Sequence, residues 1–70
     1  MTNKTTIYPG NSTRLYEACV IQAYSDSGEL GWMVCREMRL APYTGQKAPE
    51  VFFPADQKEA AIECAKNLDI

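Results

Sequence analysis

Two residue pairs in this chain could do chemistry. Pairing Tyr24 with Leu30 across the turn Ser25-Asp26-Ser27-Gly28 sets Cys19 opposite Cys35 and Glu17 opposite Glu37. Facing thiols suggest redox exchange, and facing carboxylates suggest an acid/base pair. Both readings lack companions. The chain has no histidine, the usual general base and activator of Ser or Cys. Its cysteines have no C-x-x-C spacing, and nothing in the sequence builds a pocket around the carboxylates. Free cysteine behaves as a small buried hydrophobe, so the thiols are expected to pack and the carboxylates to act as rim charges satisfied by Arg39. The stretch Pro42 to Lys47, "PYTGQK", has one glycine and one lysine without a Gly-rich pattern or a following helix, and reads as a loop. No catalytic residue, metal ligand or cofactor site is assigned, and the expectation is a protein that is not an enzyme and takes no cofactor.

Composition narrows the partners. A chain of 70 residues is one domain near the lower end of what folds unaided, because it buries only about 60% of its unfolded surface. Net charge is −2, with 7 Lys+Arg interspersed among 9 Asp+Glu, and this disfavours nucleic acid, which usually demands a basic face. Three cysteines, an odd number, and the absence of histidine speak against a disulfide framework and a zinc site. The opening segment "MTNKTTIYPGNST" has no apolar signal region, and no stretch approaches the ~20 apolar residues of a membrane span. A cytoplasmic location is expected, with no membrane partner.

The elements follow from periodicity and punctuation. Residues 1–13, with the turn signal Pro9-Gly10, form an arm that is either flexible or adds a short edge strand through Thr6, Ile7 and Tyr8. Residues 14–70 form a β-β-β-α domain. Leu15 to Tyr24 and Leu30 to Leu40 make a hairpin. Ala41 to Pro49 reads as a loop, and Glu50 to Phe53 as a short third strand. Beyond Ala55 the apolar residues Ala61, Cys64, Ala65 and Leu68 recur at the spacing of one helical face, with Ile62 on its flank. Asp56 and Glu59 match a capping box, which predicts a helix starting at Asp56. The expected fold is α+β: a three-stranded antiparallel sheet, with or without the N-terminal edge strand, and one C-terminal helix packed on one face.

That fold has a shortage of cover. Even positions of the hairpin carry Tyr16, Ala18, Val20, Trp32, Val34 and Met38; odd positions carry Leu15, Cys19, Ile21, Met33 and Cys35, with Glu17, Glu37 and Arg39 toward the open end. Both faces have an apolar centre, and a helix of about 12 residues, ~18 Å long, matches the footprint of only one. Aromatic burial favours the even face beneath the small residues of the helix. The odd face is then an interface with a charged rim: Leu15, Glu17, Cys19, Ile21, Met33, Cys35, Glu37 and Arg39. With the assignment reversed, Tyr16, Tyr24, Trp32, Met38 and Arg36 are left open, a composition equally suited to binding. A third arrangement folds the N-terminal arm over the open face.

"GWMV" at Gly31 to Val34 and "FFPADQKEAAIECAKNL" at Phe52 to Leu68 resemble the strand pattern and acidic-capped, Ala-rich helix of small sheet-plus-helix proteins from phages and mobile elements, among them anti-CRISPR proteins and, more distantly, HicB-type antitoxins. The resemblance implies a stoichiometric inhibitor that occludes the surface of a larger host complex, and it transfers no catalytic residue. The function expected from the sequence is protein binding, with a homodimer or a host complex as partner. A small nucleic-acid-binding domain using the same sheet is the alternative.

Overall fold

The computed structural model describes residues 5–69. Strands β1 (Thr6–Ile7), β2 (Tyr16–Tyr24), β3 (Leu30–Met38) and β4 (Lys47–Pro54) form one antiparallel sheet in chain order, followed by a 3-10 turn (Ala55–Gln57) and helix α1 (Lys58–Lys66). The fold is α+β, a four-stranded open sheet with one C-terminal helix packed on it.

The hairpin has the register that its turn dictates. Tyr24 pairs with Leu30, and the Ser25 N–H donates to the Glu29 carbonyl (2.8 Å), leaving Asp26-Ser27-Gly28 as a three-residue loop. Such loops close through a residue in the left-handed region, and Gly28 supplies it with φ +85°. Cys19 consequently faces Cys35, and Glu17 faces Glu37.

Two boundaries differ from expectation. The strand placed at Glu50 to Phe53 begins three residues earlier, at Lys47, and runs through Pro49. Proline is tolerated there because β4 is an edge strand, and a bulge at Glu50 shifts the register between Val34↔Val51 and Cys35↔Pro49. The helix begins later than Asp56. The chain leaves β4 in a 3-10 turn held by Trp32, whose Nε1 donates to the Ala55 carbonyl (3.1 Å), so α1 starts at Lys58 with no side-chain cap at Gln57. The Asp56–Glu59 capping box does not form, because Asp56 sits inside that turn.

The core lies between the helix and the even face. Ala18, Val20, Trp32, Val34, Ala61 and Ala65 are buried, with Ile7, Phe53, Ile62, Cys64 and Leu68 packed around them. Ala61 and Ala65 bring the helix backbone close, and the Lys58 ammonium sits 5.2 Å from the centroid of the Trp32 ring. Nine helical residues rise only about 14 Å, whereas a nine-residue strand runs about 30 Å. The helix therefore roofs the middle of the even face. Tyr24 and Leu30 stay exposed beyond one end, and Tyr16, Arg36 and Met38 are only partly covered beyond the other.

Candidate interaction surface

Among the described residues no helix lies over the odd face, since α1 contacts β2, β3 and β4 from the other side. Alternation along β2 and β3 brings six of the eight candidate residues together: Glu17, Cys19, Ile21, Met33, Cys35 and Glu37. The remaining two sit beyond the last strand pair, where the Arg39 N–H donates to the Leu15 carbonyl (2.8 Å). Leu15 lines a cavity with Tyr16 and Leu40, and the Arg39 guanidinium donates to the Thr13 carbonyl, so it does not satisfy the carboxylates as expected.

The thiols are the floor of this face and not its contact surface. Cys19 is 0% and Cys35 2% exposed, because larger neighbours close over these small side chains. Burial pushes the Cys19 thiol up to about 12, with smaller contributions from Cys35 and Glu37, and burial raises Cys35 as well. Both are protonated at neutral pH, so neither supplies a reactive thiolate. Any contact is instead made by half-buried Ile21, Met33 and Phe52, the last set opposite Met33 by the β3–β4 register.

The N-terminal arm supplies part of the cover. Thr6 pairs with Ile21 and Ile7 with Val20, which aligns Tyr8 with Cys19 on the odd side, and Tyr8 Oη donates to Glu37 Oε1 (2.9 Å). Tyr8 remains 47% exposed, so it straps the face without sealing it. The bond to Glu37, then burial, then the Glu37 charge push the Tyr8 phenol up to about 12. A folded pKa above the unfolded value near 10 means that the strap's contribution to stability is complete below pH 10 and is lost as pH rises toward 12. Tyrosinate absorbance should show one of the four tyrosines titrating late, and Glu37→Gln should return it toward 10; a wild-type titration with four ordinary phenols would remove the strap.

Lys47, placed opposite Glu37 by the register, completes a rim carrying both signs of charge. Tyr8, Phe52 and Lys47 were missed as site residues. The signal for Tyr8 was alternation through Thr6-Ile7-Tyr8; Lys47 was obscured by reading Ala41 to Pro49 as a loop, and Phe52 lay within the expected third strand, whose register against β3 set its face.

Among the described residues no group of three His, Cys, Asp or Glu is placed to hold a metal ion, and no helix is long and apolar enough to cross a membrane. The known proteins offer no template for this surface: no family model, no curated protein and no solved structure matches the chain.

Proposed function

We propose that this chain is a non-enzymatic protein-binding module that lays its open sheet face against another protein chain, either a second copy of itself or a host complex that it blocks by steric occlusion. The observation that carries this reading is the apolar triad Ile21, Met33 and Phe52, half-buried on a face over which no helix packs among the described residues. A patch of this kind rimmed by Glu17, Glu37 and Lys47 has the anatomy of an interface: apolar centre, charged edge. Because the rim holds both signs, two copies related by a twofold axis can set carboxylate against ammonium. The likeness to small phage and mobile-element inhibitors motivates the occlusion role.

Sedimentation equilibrium across tens to hundreds of micromolar tests the association. Wild type is expected to dimerise or to carry a captured partner, and Met33→Glu to be monomeric and partnerless with unchanged circular dichroism. Affinity should fall only weakly with salt, since the apolar contact is not screened and the exposed rim pairs contribute little. A chain that stays monomeric and captures no partner dependent on Met33 would overturn the proposal. A steep loss of nucleic-acid affinity with salt would favour the nucleic-acid reading instead.

A further inference from the structure

The even face carries a second opening where the helix stops short. A cavity of about 590 Å³ lies against Arg14, Leu15, Tyr16, Arg36 and Leu40, and a smaller one of about 160 Å³ adjoins it through Tyr16 and Arg36, extending toward Met38 and Lys47. Together they form a trough across the open end of the hairpin, on the side opposite the Cys19 floor. Its walls are apolar side chains and its cations are Arg14 and Arg36, with Glu50 the one carboxylate among the described residues paired to Arg36; the Lys47 charge belongs to the rim of the other face.

Among the described residues Arg36 is the group with unspent capacity. Its guanidinium stands 5.3 Å from the centroid of the Tyr16 ring, which orients the plane. Among the described residues its partners are distant: Nη2 donates to the Asp69 carbonyl at 3.3 Å, Nε lies 3.6 Å from Glu50 Oε2, and Nε makes no hydrogen bond. Guanidinium offers five N–H donors in a fixed fork that matches a carboxylate. A side chain only 31% exposed, stacked on an aromatic ring and short of acceptors, is poised for that match.

We propose that this trough binds an acidic peptide segment of a partner protein, with a carboxylate on the Arg36 fork and the flanking apolar residues on Tyr16 and Leu40. Apolar walls around one principal cation favour a single carboxylate set among hydrophobic side chains over a polyanion, which would draw on a broad basic surface. Glu50 competes for the same guanidinium. It lies in the β4 bulge, which aims it at Arg36, and it holds the fork at a distance longer than a good hydrogen bond.

The test is a titration of the full isotope-labelled chain with N-acetyl-Leu-Asp-Phe-amide, followed by backbone amide shifts, with N-acetyl-Leu-Asn-Phe-amide and hexathymidylate as comparison probes. Binding is expected in the millimolar range, with shifts confined to the neighbourhood of Tyr16, Arg36 and Leu40. The Asn peptide and Arg36→Gln should each weaken it about tenfold. Glu50→Gln should strengthen it severalfold, an effect that a merely structural role for Arg36 would not produce. Should Arg36→Gln lose its dispersed spectrum, Arg14→Gln and the Asp-to-Asn exchange in the ligand carry the same test. Shifts on the Met33 face, equal affinity for the two peptides, no saturable shift up to about 10 mM, or tighter binding of hexathymidylate would overturn the proposal.

Discussion

Trp32→Ala is expected to remove about half of the stability of the fold, roughly 3–5 kcal/mol. Trp32 is 8% exposed, fills the space beneath Ala61 and Ala65, and holds the strand-to-helix junction through its bond to the Ala55 carbonyl. Removing a buried tryptophan costs about 3–5 kcal/mol, and a chain of this length has roughly 4–10 kcal/mol to lose. Trp32→Phe retains most of the packing and leaves the Ala55 carbonyl without its donor, so a loss of about 1–2 kcal/mol is expected. Urea denaturation followed by circular dichroism separates the three proteins. An alanine variant with wild-type stability would place the core elsewhere and remove the distinction between the two faces.

Gly31→Ala should destabilise the fold by about 1–3 kcal/mol, although alanine normally improves a strand position by roughly 0.5–1 kcal/mol. A Cβ at Gly31 would run into the Phe53 carbonyl and the ring of Phe52, whose Cε1 lies 2.9 Å from it. Because the carbonyl belongs to the backbone of β4, relief requires the edge strand to move or the Phe52 ring to leave its place. The ring is part of the proposed binding surface, so association should weaken together with stability. In urea the midpoint should fall by roughly 1–2 M at unchanged slope. A variant as stable as wild type would mean that Phe52 does not lie over Gly31, and the surface would lose one of its three apolar contacts.

Sequence patterning was most informative where one physical signal dominated. Gly28 and the lengths of the two strands set the hairpin register, so the opposition of Cys19 to Cys35 and Glu17 to Glu37 was readable in advance. Helical spacing picked out the Ala61/Cys64/Ala65/Leu68 stripe, and aromatic burial chose the correct side of the sheet for it. Competition between signals hid the rest. At Pro49 turn chemistry outweighed the tolerance of an edge strand, which concealed the first three residues of β4, Lys47 among them. At Asp56 a capping pattern was present, but the Trp32 bond to Ala55 set the geometry of the junction. The strap by Tyr8 depended on a contact 29 residues away in sequence, which no local pattern encodes. Helix length mattered too: two turns and a half end at Lys66 and leave an opening at Tyr16 and Arg36.

The decisive observable is cover, by another protein chain, of the side of the sheet bearing Met33. Its most direct measurement is the bleaching of methyl signals by a soluble paramagnetic agent at low and at high protein concentration. Ile21 and Met33 are expected to become protected as concentration rises or a captured partner is added, while Leu30, exposed beyond the helix on the opposite side, stays equally accessible. Equal bleaching of Ile21 and Met33 at every concentration and with every captured partner added, or protection that appears at Leu30 instead, would contradict that cover.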